Sequence, residues 1–190
     1  MRIAPGEDGG LDSVRANLRE VWEVYQTFCT HVIGQALDLE YARATRQLRD
    51  RDSTGRSMAD AAIELYYDVR PATELLASWR DATTRPANER PDIILFDRAA
   101  KRAVILDVKF RVGPGGKAKS EDLQEMQSYL HSFGLSTGGI VYPGDGEACF
   151  HAAKGQTLVE LPIRPQTDHR LLLERVRETV ASMWSVPGFQ

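Results

Sequence analysis

The chain has 190 residues, 42% of them hydrophobic and 27% charged, with a formal net charge of −3. That composition supplies one packed core of ordinary size, excludes a disordered tail, and excludes a polybasic binder, because overall acidity gives no attraction to phosphate. Two cysteines, Cys29 and Cys149, are too few for a disulfide framework, and the longest aliphatic runs are too short to span a bilayer, so a reducing, cytoplasmic setting with no membrane contact is expected.

Residues 1 to 12 read as a mobile leader and residues 13 to 190 as one domain. Val14, Leu18, Val21, Trp22, Tyr25, Phe28, Cys29, Val32, Ile33, Ala36 and Leu37 recur at helical spacing and predict a long amphipathic helix, with Cys29 as a small buried thiol. A second helical stretch runs from Leu39 to about Arg51 and dissolves at Asp52-Ser53-Thr54-Gly55. Ala61 to Val69 suits a strand ending at Arg70-Pro71, and Thr73 to Trp79 reads as a short helical turn or an irregular connection. Asp92 to Phe96 and Arg102 to Phe110 are strongly strand-like and are joined by the five polar-rich residues Asp97 to Lys101, which predicts a hairpin. Gly113 to Lys119 is too rich in glycine and charge for regular structure and is expected to be mobile. Ser120 then caps a helix to about Phe133, with Glu121 and Asp122 in its first turn. Gly138 to Pro143 and Thr157 to Ile163 predict short strands, and Asp168 to Trp184 a closing helix. The order predicts an α/β fold, a central mixed sheet flanked by helices.

The hairpin carries the chemistry. Alternation along a strand points Asp107 and Lys109 to one face and Leu106, Val108 and Phe110 to the other. Asp92 opens the partner strand fifteen residues earlier, and the hairpin can bring it beside Asp107. Two neighbouring carboxylates repel unless a cation lies between them. With a backbone carbonyl and waters they make a hard-oxygen site that suits Mg²⁺ or Mn²⁺, and a lysine beside it can orient an attacking water, which is equipment for phosphodiester hydrolysis. The bland alternative on spacing alone is an exposed Asp107–Lys109 ion pair on an edge strand, with Asp92 merely following Pro91 at a strand start.

Pro91-Asp92 followed by Asp107-Val108-Lys109 resembles the PD-(D/E)XK nuclease superfamily. Arg90-Pro91-Asp92-Ile93-Ile94-Leu95, Leu106-Asp107-Val108-Lys109-Phe110-Arg111, Met126-Gln127-Ser128-Tyr129 and Val141-Tyr142-Pro143-Gly144 together resemble the restriction-endonuclease-like domains related to nuclease subunits of modified-cytosine restriction systems, over roughly Val21 to Pro165. The resemblance implies a restriction-endonuclease-like sheet and a metal-dependent deoxyribonuclease in a defence, restriction or DNA-processing system. Asp92, Asp107 and the Val108 carbonyl would hold Mg²⁺ or Mn²⁺, with Lys109 beside them. It also implies an acidic residue on the helix before the sheet. Tyr25-Gln26-Thr27-Phe28-Cys29 puts Gln26 at that position, and Glu23, one turn earlier, is the substitute; helical phase favours Gln26. The superfamily often places Gln and Tyr four apart on the helix after the D-x-K strand. Tyr129 matches, whereas Glu125 stands where Gln would, and packing competes as an explanation for Tyr129.

Between Arg85 and Lys119 nine basic residues face four acidic ones, a local balance of +5. Arg90, Arg111, Lys117 and Lys119 are the candidate substrate contacts, and DNA is the partner the resemblance implies. Cutting both strands of a duplex takes two sites, hence a homodimer or docked assembly; any NTPase motor or specificity subunit would come from another chain or another part of a longer protein. The rival reading is a pseudo-nuclease that binds nucleic acid or a protein partner, with Gln26 marking a decayed metal site. Gly113 to Lys119 lacks P-loop spacing. His31, His131, His151 and His169 lack zinc-motif spacing and read as ordinary histidines.

Overall fold

A computed structural model describes residues 9–39, 57–59, 63–68, 90–153 and 155–185. The elements run α1 (Gly9–Ala36), β1 (Ser57–Ala59), β2 (Ile63–Tyr67), β3 (Ile93–Asp97), β4 (Arg102–Val108), α2 (Ser120–Phe133), β5 (Thr137–Tyr142), β6 (Cys149–Ala153), β7 (Gln156–Pro162) and α3 (His169–Ser185). The strands form one mixed sheet in the order β1-β2-β3-β4-β5-β7-β6. β1 to β4 pair antiparallel, β4, β5 and β7 are parallel neighbours, and β6 returns antiparallel to β7 at the edge.

Strand alternation divides the core in two. Leu95, Val104, Leu106, Val108, Val141, Val159 and Leu161 project to the face covered by α1 and α3, where Cys29, Ile33, Val176 and Val180 are fully buried. Ile94, Ile105, Ile140 and Leu158 project to the other face, under Met126, Leu130 and Phe133 of α2. The Tyr25 hydroxyl donates to the Ile163 carbonyl at 2.7 Å, and Arg177 Nε donates to the Ala36 carbonyl at 2.7 Å, fixing α1 against the end of β7 and α3. Burial pushes the Cys29 thiol up to about 12, so it stays an uncharged packing group.

The expected α/β sheet flanked by helices is present. α1 begins at Gly9, inside the stretch expected as a leader, and the helical stretch from Leu39 to Arg51 and the connection from Thr73 to Trp79 lie outside the described residues apart from Leu39 itself. Asp97 belongs to β3 and pairs with Arg102, which shortens the hairpin loop to Arg98 through Lys101. The Asp97 carboxylate accepts the Ala100 N–H at 2.9 Å, and Lys101 takes the left-handed conformation that closes the turn. Ser120 is not the cap of α2. Lys119 occupies that position with no side-chain bond, and Ser120 is already helical. The segment expected to be an irregular, mobile loop contains a single 3₁₀ turn, Pro114–Gly116, closed by the Gly116 N–H donating to the Gly113 carbonyl at 3.3 Å and bracketed by the Gly113 N–H donating to the Lys117 carbonyl at 2.7 Å. β6 was not expected at all.

α2 lies close enough to the sheet that only glycine fits beneath it. A Cβ at Gly138 would stand 2.7 Å from Met126 Sδ, 2.9 Å from Leu130 Cδ2 and 3.1 Å from the Ile105 carbonyl. Gly138→Val is therefore expected to lower stability by about 1–3 kcal/mol, the usual cost of overpacking, read as a fall in the urea midpoint at unchanged m-value.

Candidate functional site

The antiparallel register pairs Ile93 with Leu106. One step further it sets Asp92 opposite Asp107, on the α2 face and at the end of the sheet where parallel β4 and β5 also finish. Asp92 Oδ2 accepts the Val108 N–H at 2.7 Å, and the Asp92 carbonyl accepts the Asp68 N–H at 2.8 Å, so both ends of the residue are tied to backbone. Beyond β4 the Lys109 N–H donates to the Val141 carbonyl at 2.8 Å. That bond carries the strand's alternation one residue further and returns the lysine side chain to the face of Asp107.

Lys109 Nζ lies 2.7 Å from Asp107 Oδ2 and donates to Glu125 Oε2 of α2 at 2.8 Å. The contact with Asp107 is a close ion pair, so Lys109 bridges the buried Asp107 carboxylate and Glu125. Glu125 Oε1 in turn accepts the Tyr129 hydroxyl at 3.3 Å. The polar chain is thus Asp92, Asp107, Lys109, Glu125, Tyr129, drawn from two strands and one helix.

Its charge state follows from burial. Asp92 is 8% and Asp107 5% exposed. Desolvation, followed by the charge of Asp107, raises Asp92 well above the usual carboxylate range. Desolvation also raises Asp107, against the pull of Lys109. Burial alone would lower Lys109, but Asp107 and Glu125 outweigh it and hold the ammonium above the ordinary lysine range. The two carboxylates beside it therefore favour the charged form of Lys109 in the metal-free site. Burial, and then the charge of Asp107, pushes the Tyr129 phenol up to about 12.

The Val108 carbonyl receives the Trp22 indole N–H at 3.4 Å, a long bond that leaves a second lone pair available. Gln26 is buried, as helical phase predicted, but its Oε1 accepts the Tyr67 hydroxyl at 3.2 Å, and neither Asp92 nor Asp107 is its hydrogen-bond partner. Glu23 is exposed. Burial raises Tyr67, a hydrogen bond with Thr27 opposes the rise, and the charges of Asp68, Asp92 and Glu23 add to it.

The predicted basic contacts divide. Arg90 is spent on Asp68, with Nε 3.0 Å from its carbonyl and 2.8 Å from Oδ1. Arg111 is spent on Asp122, a fully buried carboxylate in the first turn of α2. Arg98 pairs with Glu64 and Arg102 with Asp97. Three acids outside the segment, Asp68, Glu64 and Asp122, thus offset part of the basic excess, which sequence counting could not foresee. Among the described residues Lys101, in the hairpin turn, and Lys117 and Lys119, in the loop before α2, make no ion pair. Tyr129 packs, as one of the two readings expected, and its hydroxyl also joins the polar chain. Its ring packs 6.4 Å from Phe133 while its hydroxyl reaches Glu125.

Glu125 is the site residue that sequence reasoning passed over. Its signal was its position four residues before Tyr129, one helical turn away on the same face. No protein-family model matches this chain, and no curated protein matches it either.

Proposed function

We propose that the chain is a metal-dependent deoxyribonuclease with a restriction-endonuclease-like fold, acting in a restriction, defence or DNA-processing system. The observation that carries this reading is the buried Asp92–Asp107 pair, set opposite one another by the strand register, with the Lys109 ammonium 2.7 Å from Asp107 Oδ2, so that one ammonium faces two carboxylates. Two buried carboxylates in that position are costly without a cation, and their oxygen donors with the Val108 carbonyl match a hard divalent ion. Asp92, Asp107 and Val108 would hold Mg²⁺ or Mn²⁺, which supplies Lewis acidity toward a phosphate oxygen and an acidified water.

The chain's own residues do the rest. Lys109, pinned by Glu125, presents a positive charge where phosphate charge grows and directs a water by donating to its oxygen. Glu125 sets the ammonium's position, and Tyr129 holds Glu125. Lys117 and Lys119 provide backbone attraction from the loop before α2.

One observation favours a pseudo-nuclease instead. Among the described residues no third Asp, Glu, His or Cys ligand atom joins the Asp92–Asp107 pair within 4.8 Å, and Gln26 is engaged with Tyr67. Calorimetry with Mn²⁺ separates the readings. The nuclease reading expects saturable binding that disappears in Asp92→Ala, together with cleavage of labelled single- or double-stranded DNA that chelator stops. No binding at millimolar Mn²⁺ and no cleavage would leave only the binding module.

A further inference from the structure

A second constellation lies on edge strand β6, and it does not depend on the nuclease reading. Cys149 pairs across the ladder with Glu160 of β7, and His151, opposite Leu158, is two residues along β6 and so on the same face. A ligand atom from each of the three comes within 4.8 Å of the other two. His151 Nε2 sits 2.7 Å from Glu160 Oε1. Glu160 is 3% exposed, and its second oxygen accepts the Ala118 N–H at 2.9 Å. His151, read from sequence as an ordinary histidine, therefore has two potential metal ligands beside it. The C-x-H pattern that places both side chains on one strand face was visible, but its third member was not.

We propose that Cys149, His151 and Glu160 bind one Zn²⁺ ion. The donor set decides the metal. A thiolate with an imidazole suits a borderline-soft ion and is unsuited to Mg²⁺ or Ca²⁺, which take oxygen ligands. Four-coordinate zinc with bonds of about 2.0–2.3 Å spaces its ligand atoms roughly 3.3–3.5 Å apart. The His151–Glu160 contact therefore has to open only slightly as the ion enters. Binding expels the Cys149 thiol proton to solvent and takes His151 as the neutral tautomer whose Nε2 carries no proton, the ring proton moving to Nδ1; no redox partner is involved. The Ala118 N–H fixes the Glu160 carboxylate from behind, the kind of support that orients metal ligands. Cys149 is half-buried and His151 exposed, so the fourth position opens to water or to an external ligand. Through Glu160 the ion is tied to the segment that carries Lys117 and Lys119.

Co²⁺ titration of the full chain tests this. The expected result is one equivalent bound with a near-ultraviolet thiolate-to-cobalt band and the strong visible bands of a four-coordinate ion, displaced by one equivalent of Zn²⁺. Cys149→Ser and His151→Ala should each weaken binding by at least about 100-fold, beyond the usual effect of removing an outer partner. Cys29→Ser and Asp92→Asn should leave the band unchanged, which separates this site from the carboxylate pair. His151 is exposed, so its variant remains folded by far-ultraviolet circular dichroism and keeps the test decisive if Cys149→Ser does not. A saturated, folded wild type without a thiolate band overturns the proposal, and so does a band that survives both variants.

Discussion

Lys109→Ala is expected to cut metal-dependent DNA cleavage by about 10²–10³-fold while leaving Mn²⁺ affinity equal to or tighter than that of the wild type. The rate loss corresponds to ~2.7–4 kcal/mol of transition-state stabilisation, the typical effect of removing one preorganised donor. The two readouts move apart because of how the lysine is held. Its ammonium lies between Asp107 and Glu125. Removing it takes away the cation that competes for Asp107, so a metal gains, while the group that meets growing phosphate charge is lost. Asp107→Ala should abolish both cleavage and binding, because it removes one carboxylate of the pair. A smaller loss, of about tenfold, is expected for Glu125→Gln, which keeps the packing of α2 but releases the ammonium. Parallel calorimetry and single-turnover cleavage measure the split. Unchanged cleavage in Lys109→Ala would sink the assignment, and a loss of Mn²⁺ binding equal to the loss of rate would make the lysine a structural support only.

How much of this was legible in the sequence depends on how far each contact reaches along the chain. Asp92, Asp107 and Lys109 come together through one hairpin, whose two strands alternate cleanly and whose turn residues are strongly typed, so local rules sufficed. α1 was readable from Val14 onward because its apolar residues keep helical spacing, but its start at Gly9 was not, since glycine carries no helical signal. β6 escaped notice because Cys149-Phe150-His151-Ala152-Ala153 is short, alternates weakly and rests on β7 for its pairing. The charge network was the least legible part. Arg90 finds Asp68 across 22 positions and Lys109 finds Glu125 across 16, and no periodicity encodes either meeting. Counting charges along one segment therefore overstated its basic surface, because Arg90, Arg98 and Arg111 pair with acids outside it.

Asp92→Asn is expected to stabilise the metal-free chain at pH 8 while abolishing its stabilisation by Mn²⁺. The sign follows from linkage. Burial and the neighbouring Asp107 raise the folded pKa of Asp92 above its unfolded value. The folded state therefore holds more protons than the unfolded one, and stability that is complete below the ordinary carboxylate range is lost as pH rises through the raised pKa. Asparagine has the same shape. Its carbonyl can still accept the Val108 N–H, and its amide can donate to Asp107, replacing the proton that the two acids otherwise compete for. The bond to Val108 weakens from charge-assisted to neutral at a cost of about 1 kcal/mol, whereas a second buried charge without a counter-ion costs several. The net gain expected at pH 8 is on the order of 1 kcal/mol, or about 2–4 °C in Tm for a chain of this size, and it should shrink toward zero as the pH is lowered. With saturating Mn²⁺ the ranking reverses, because only the wild-type pair gains binding free energy. Thermal unfolding of both proteins across that pH range, with chelator and with Mn²⁺, gives the four curves needed. If Asp92→Asn is less stable than wild type at pH 8 in chelator, Asp92 is a backbone anchor whose charge the fold tolerates without strain, and the carboxylate pair loses its claim to be built around a cation.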